Sequence, residues 1–175
     1  MKKRKVLVVV LGCVVVLLLV ILAHLYFSHY LYFSVPLRSM EPTIRQGSHI
    51  KAAKITDPHG TTFHYGDVVV FRDPRDPNSV FVQRITGLPG DTIEVRSKTV
   101  LRNEAALAEP YVKHERGGLL PPASEFGCLD NMGPVKVPEG HLWLMGDNRD
   151  MVMDSRYWGP IKFESILGRV TDVRP

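Results

Sequence analysis

Cysteine is scarce in this 175-residue chain, and the two present, Cys13 and Cys128, cannot form a framework. Cys13 lies inside an apolar N-terminal run and Cys128 far downstream, so a disulfide-stapled fold is excluded. The seven histidines, from His24 to His141, are scattered and never stand at the i, i+4 spacing of a helical metal site. Neither a metal nor a cofactor is expected. Gly87 and Gly90 lack the spacing that wraps a pyrophosphate, and no internal repeat or low-complexity tract occurs. An excess of charge is also missing from the body of the chain. The formal charge of +4 comes from Lys2, Lys3, Arg4 and Lys5 alone; the remaining Lys and Arg balance the 18 acidic residues. A nucleic-acid binder carries its cations on the folded domain, so nucleic acid is not an expected partner.

What is present begins with an unbroken apolar run from Val6 to Ala23, continued after His24 by Leu25, Tyr26 and Phe27. About 20 apolar residues in a helix cover the ~30 Å hydrocarbon core of a bilayer, whereas a cleavable signal sequence has only about 7–15. The triplet Leu11-Gly12-Cys13 is lipoprotein-like, but apolar residues continue past it. The run therefore predicts a retained transmembrane helix over 6–27, after a basic cytoplasmic tail over 1–5. Lys and Arg gather on the N-terminal flank, which places the N-terminus inside and residues 28–175 outside as one domain. Tyr26, Phe27, Tyr30, Tyr32 and Phe33 suit an aromatic belt at the bilayer surface.

Beyond Pro36 the chain reads as short alternating or β-branched segments separated by Gly and Pro, the pattern of a mostly β domain. Strands are expected near His49–Ile55, Asp67–Arg72, Val80–Thr86, Thr92–Arg96, Val100–Arg102, His141–Met145 and Ile166–Val173, with a hairpin at Ser97-Lys98-Thr99. Gly87-Leu88-Pro89-Gly90-Asp91 reads as a type II turn, because Pro fixes φ and the following Gly accepts a positive one. The stretch Lys113–Met132, with Gly117-Gly118 and Pro121-Pro122, reads as an exposed loop or small insertion without recognisable chemistry.

Ser39-Met40-Glu41-Pro42-Thr43 follows the apolar run closely, which would hold the Ser39 hydroxyl near the outer bilayer surface. Alone, such a segment reads as a turn. Three more segments follow it in order: Val82-Gln83-Arg84-Ile85-Thr86-Gly87-Leu88-Pro89-Gly90-Asp91; Pro138-Glu139-Gly140-His141; and Gly146-Asp147-Asn148-Arg149-Asp150 with Asp154-Ser155-Arg156-Tyr157-Trp158-Gly159-Pro160. Together they resemble the bacterial type I signal peptidases, membrane-bound Ser/Lys endopeptidases that remove signal peptides from exported preproteins. The resemblance runs from the apolar segment to the last strand. It implies a signal-peptidase-like antiparallel β domain behind one transmembrane helix in the bacterial cytoplasmic membrane, a nucleophile at Ser39, and signal peptides and the lipid bilayer as partners. It also implies a supporting scaffold of Arg84, Asp147, Asn148, Arg149, Asp154, Ser155 and Arg156, with Asp154 and Arg156 paired.

A serine hydroxyl needs a nearby base to take its proton and donors to hold the oxyanion. In the family that base is a buried lysine, kept neutral by desolvation. The matching position here is Gln83, whose amide cannot take up a proton at any usable pH. Two further departures accompany it: Val152 replaces the serine that hydrogen-bonds the base, and Leu37 replaces a hydroxyl residue that helps hold the oxyanion in part of the family. Lys51, Lys54 and His49 are the nearest substitute bases along the chain. Two functions follow from the resemblance: a signal peptidase acting through Ser39, and a catalytically impaired pseudopeptidase that binds signal peptides or modulates an active paralogue.

Overall fold

The computed structural model describes residues 2–118, 122–124, 127–151 and 153–175, with the backbone alone at 2–7, 9, 26, 122–124, 127 and 128. The tail's side chains, Tyr26 of the expected belt and the Cys128 thiol thus lie outside the described side chains, and Val152 lies outside the described residues. The apolar run forms one helix, α1 (Lys2–Ser28), of 27 residues. Its described apolar side chains, among them Val14, Leu18, Leu22 and Leu25, are exposed rather than packed on the domain. Among the described residues no helix is long and apolar enough to cross a membrane; side chains of α1 are described without a break only from Val10 to Leu25.

The rest is antiparallel β structure. Strand β1 (Tyr30–Ser34) leaves α1 almost at once and is followed by β2 (His49–Lys54), β3 (Val68–Arg72), β4 (Val80–Gly87), β5 (Thr92–Arg96), β6 (Thr99–Arg102) and β7 (Ala105–Ala106). Then come β8 (Pro122–Ser124), β9 (Gly127–Cys128), β10 (Asn131–Lys136), β11 (His141–Met145), a four-residue helix α2 (Ser155–Trp158), β12 (Ile161–Lys162) and β13 (Ile166–Arg174). A seven-stranded sheet runs β1-β2-β13-β3-β4-β11-β12, and a six-stranded sheet runs β7-β6-β5-β10-β9-β8. The expected strands are all present within a residue or two. The two-residue turn Ser97-Lys98 has positive φ at both positions, the twist that a tight hairpin requires. In the turn Leu88–Asp91 the Asp91 N–H donates to the Leu88 carbonyl at 3.1 Å, and Gly90 has φ +88°, as the type II reading demands.

Two readings need correction. Tyr30–Ser34 is a strand as well as an aromatic stretch: its register pairs Tyr30 with Ala53 and Ser34 with His49. Lys113–Met132 is not merely an exposed loop, because Lys113 bridges Asn148, and β8, β9 and the start of β10 complete the second sheet.

Alternation along the strands distributes the core. Val69 and Phe71 of β3 join Ile85, Leu142, Leu144 and Ile166 on one face of the large sheet. Val70, between them, joins Val35, Met40, Ile44, Ile50 and Val82 on the other. Trp143 and Met145 of β11 turn instead toward Ile93, Val95 and Val100 of the second sheet, so β11 knits the two sheets together. At the crossing of β13 and β2, Gly168 is required by close approach: a Cβ there would stand 2.7 Å from the Ala53 carbonyl oxygen and 3.2 Å from the Ala52 Cβ. Gly168→Ala is expected to cost about 1–3 kcal/mol of stability through this overpacking, read as a lowered urea midpoint with unchanged m.

Candidate active site

The segment carrying Ser39 is pinned from both sides. Met40 and Ile44 are buried in the core, and the Ile44 N–H donates to the Met40 carbonyl at 2.8 Å, making one tight turn. The Ser39 carbonyl accepts from the Asn148 N–H at 3.0 Å, which ties the turn to the loop after β11. Ser39 itself is buried, and its hydroxyl makes no hydrogen bond among the described residues. It lines a cleft of about 350 Å³ with Leu37, Phe81, Asp150, Met151 and Met153. Most of these neighbours are apolar, with Asp150 the one charged residue of the wall.

Period-two alternation on β4 puts Gln83 on the same face as Phe81, which lines that cleft, while Val82 points to the core beside Met40. Gln83 is fully buried. Its Nε2 donates to the Met153 carbonyl at 2.6 Å, and its Oε1 is buried without a hydrogen-bond partner among the described residues. Met153 also lines the cleft with Ser39. Gln83 is thus bonded to the backbone of one residue, Met153, of the wall of the Ser39 cleft. An amide fixed in this way can orient a neighbour but cannot accept a proton.

Around this pair lies a dense ionic frame. Arg84 grips Asp147 with two bonds, Nε to Oδ1 at 2.8 Å and Nη2 to Oδ2 at 2.6 Å, and reaches the Gly66 carbonyl with Nη1 at 2.9 Å. Thr43, four residues past Ser39, donates to the same Asp147 carboxylate at 2.5 Å. Burial works against the Arg84 charge, but the Asp147 carboxylate more than offsets it and holds the guanidinium above its ordinary range. Arg156 and Asp154 pair at 2.9 Å with both side chains buried, and Asp154 also caps α2 by accepting from the Arg156 N–H at 3.0 Å. Ser155 Oγ accepts from the Leu144 N–H at 2.9 Å, fastening α2 to β11. Arg149 donates to the Gly146 carbonyl at 3.1 Å and to Glu109 at 2.5 Å. All seven scaffold residues are therefore engaged within one continuous region.

Sequence reasoning missed a second element of this region, the strap 113–116. Lys113 N–H donates to the Asp147 carbonyl at 2.8 Å and the Arg149 N–H returns a bond to the Lys113 carbonyl at 3.0 Å. Arg38, next to Ser39, donates to Glu115 at 2.7 Å and to Glu41 at 3.1 Å, and Lys113 Nζ lies 2.8 Å from Glu115 and 3.3 Å from Glu41. Hydrogen bonds to Glu115 and Glu41 hold the Lys113 ammonium above its usual range, which makes it a poor base. Glu109 and Tyr111 were also missed; burial and the nearby Glu109 carboxylate push the Tyr111 phenol up to about 12. No local signal marks these residues as part of the site, since the contacts that tie them to it, Arg38 to Glu115, Lys113 to Glu41 and Arg149 to Glu109, span tens of residues.

Asp150 fixes the strap's far end by accepting from the backbone N–H groups of Arg116 at 2.6 Å and Glu115 at 2.7 Å, with Lys98 and His114 beside its other oxygen. Burial alone would raise the Asp150 carboxyl, but those amides, His114 and Lys98 together hold it below the usual carboxylate range. Its folded pKa is thus depressed, so its stabilisation is complete above the ordinary carboxylate range and is lost as pH falls through the folded value. Amide exchange at Glu115 and Arg116 should therefore accelerate on acidification below about pH 4, relative to intrinsic rates, and Asp150→Asn should remove that pH dependence. Unchanged protection at acid pH would separate the strap's order from the Asp150 charge.

The three substitute bases considered from sequence are not brought to the cleft. His49 Nδ1 pairs with Ser34 Oγ at 3.0 Å, Lys51 Nζ sits 3.7 Å from the Tyr30 ring centroid, and Lys54 lines a separate groove with Leu31 and Phe33. Leu37 does line the cleft, and it is exposed.

A family model described as signal peptidase, peptidase S26, matches residues 5–173. The signal peptidase I V of Bacillus subtilis is 34% identical over 138 residues, covering 77% of this chain and 79% of the relative. A probable signal peptidase I-2 of Synechocystis is 37% identical over 145 residues, covering 77% of this chain and 58% of the relative. The chain therefore spans most of the first relative and under two thirds of the second. A crystal structure of a signal peptidase I from Enterococcus faecalis is similar over 63% of this chain and 98% of that one, at 30% identity and a TM-score of 0.49.

Proposed function

The chain belongs to the signal peptidase family, and on that premise we propose that it is a slow serine endopeptidase that removes signal peptides from exported preproteins through Ser39. Its anchor is α1, lying across the bacterial cytoplasmic membrane with the basic tail inside and residues 28–175 outside. Helical backbone extends through the whole apolar run, and 27 residues at about 1.5 Å each exceed the hydrocarbon thickness. The observation that carries the reading is the cleft that buried Ser39 lines with Phe81, Met151 and Met153, the last of which accepts a hydrogen bond from Gln83. An extended peptide laid in such a cleft gains main-chain hydrogen bonds for affinity and small pockets for selectivity. The Ser39 N–H and neighbouring donors would still polarise the scissile carbonyl without the lysine.

A second reading, a pseudopeptidase that binds signal peptides or modulates an active paralogue, is favoured by one observation: Gln83 is fully buried and bonded to Met153, as in a site settled without a base. The two are separated by assaying the full chain in vesicles on a preprotein, beside Ser39→Ala. Cleavage that is measurable in the wild type and abolished in Ser39→Ala supports the peptidase. A wild type that binds the preprotein yet cuts no faster than Ser39→Ala establishes the pseudopeptidase.

A further inference from the structure

The outer face of the large sheet carries a feature unrelated to the cleft. At the corner formed by β1, β2 and the end of β13, the strand register lays two rows of side chains side by side. Ser34 pairs with His49 and His49 with Arg174; two residues along, Tyr32 pairs with Lys51 and Lys51 with Asp172. The intervening residues Ile50 and Ala52 face the core, with Leu31 and Phe33 packed against it, so these six point the other way. They line a cavity of about 300 Å³.

The donors here outnumber the acceptors. Asp172 is the single carboxylate of the cavity wall, and Arg174 Nε already meets it at 3.1 Å. Lys51 Nζ lies 3.7 Å from the Tyr30 ring centroid, a cation–π contact at the edge of the cavity. Ser34 Oγ, 3.0 Å from His49 Nδ1, adds a hydroxyl. This sits in a domain whose charges otherwise balance.

Position selects the ligand. β1 begins two residues after α1 ends, and the Phe27 ring of the helix packs against Tyr32 with centroids 6.3 Å apart. At about 3.3 Å per residue the whole of β1 extends less than ~20 Å from the helix end, the depth of a lipid headgroup layer. Tyrosines at the boundary and basic side chains beyond it are the chemistry of an anionic membrane surface.

We propose that this corner binds the phosphate of an anionic phospholipid headgroup, between Lys51, Arg174 and the Ser34 hydroxyl. The proposal rests on the membrane reading of α1. Its consequence is positional: β1 leads through Val35 to Ser39, so a headgroup held at this corner fixes the height of the cleft above the bilayer.

The test is native mass spectrometry of the full chain released from micelles containing equal phosphatidylglycerol and phosphatidylcholine. Each basic side chain at an anionic surface contributes roughly fivefold, so the preference for phosphatidylglycerol should fall about thirtyfold in Lys51→Ala/Arg174→Ala. Lys162→Ala/Arg116→Ala, which removes cations elsewhere on the domain, should retain it, and matched thermal melts check folding. An absent preference, or one that survives the Lys51/Arg174 change, overturns the site. Inorganic phosphate that binds this corner as well without lipid, and displaces phosphatidylglycerol at micromolar levels, overturns the lipid assignment in favour of a soluble anion. Carbonate extraction from pure phosphatidylcholine vesicles tests the α1 anchor independently, since the double variant should stay embedded as well as the wild type.

Discussion

Gln83→Lys is expected to raise the rate of preprotein cleavage by about 100-fold or more. The native side chain is fully buried and already donates to the Met153 carbonyl. Lysine is one atom longer, so its Nζ can keep that contact while its lone pair reaches toward Ser39. A lysine there is desolvated, which disfavours the ammonium and leaves a neutral amine able to take the hydroxyl proton near working pH. Losing one member of a catalytic unit typically costs about 10⁴-fold, and regaining it should recover part of that. Recovery is expected to stay incomplete, because Leu37 on the cleft wall contributes no hydroxyl. The same burial gives a second readout. With a folded pKa depressed below the unfolded one, the variant loses stability as pH falls from the ordinary lysine range toward the folded value, by up to ~1.4 kcal/mol per pH unit. Denaturation at pH 7 and pH 9.5 should show the variant gaining on the wild type at the higher pH. A variant with that stability signature and no faster cleavage would mean that β4 is not oriented for chemistry at Ser39.

How far the sequence discloses this site depends on how local each cause is. Strands β2 to β5, β11 and β13 announce themselves because alternation and turn residues are local properties. Strand β1 does not: Tyr-Leu-Tyr-Phe suits a sheet edge and a membrane interface equally well, and only pairing with β2 decides. Strand β10 contains Gly133 and Pro134, which argue against a strand by composition. The structure admits them through a register shift between Met132 and Val135, where the ladder needs no donor from proline. The strap escapes notice for a different reason. Arg38 and Glu115 stand 77 residues apart, and nothing near either one names the other. The long Gly-Asp-Asn-Arg and Asp-Ser-Arg segments, by contrast, mark the frame around Ser39 because so many specific contacts are packed into few residues. What they cannot disclose is that Met153, an ordinary residue by sequence, would join Gln83 to the cleft wall.

Arg156→Ala is expected to destabilise the domain by about 3–5 kcal/mol, or roughly 10 °C in melting temperature. Arg156 and Asp154 are both buried, and the guanidinium also donates to the Arg149 carbonyl at 2.8 Å and the Leu129 carbonyl at 3.2 Å. Burial opposes the Arg156 charge, yet the Asp154 carboxylate overrides it and keeps the guanidinium raised. Removing the cation leaves Asp154 charged and uncompensated, with two carbonyls short of a donor. The double variant Asp154→Ala/Arg156→Ala should therefore cost less than the sum of the single changes, because the stranded carboxylate goes with its partner. Asp154→Ala alone should lose the α2 cap, worth about 1 kcal/mol, as well as the ion pair. The bond to the Arg149 carbonyl gives the loss a functional side, since it closes the loop that presents Met151 and Met153 to the cleft. Cleavage should fall in Arg156→Ala even well below its melting temperature, whereas Arg156→Lys, keeping charge without the planar fork, should recover stability only in part. A loss under about 1 kcal/mol for Arg156→Ala would place the pair among surface contacts and detach it from the cleft's geometry.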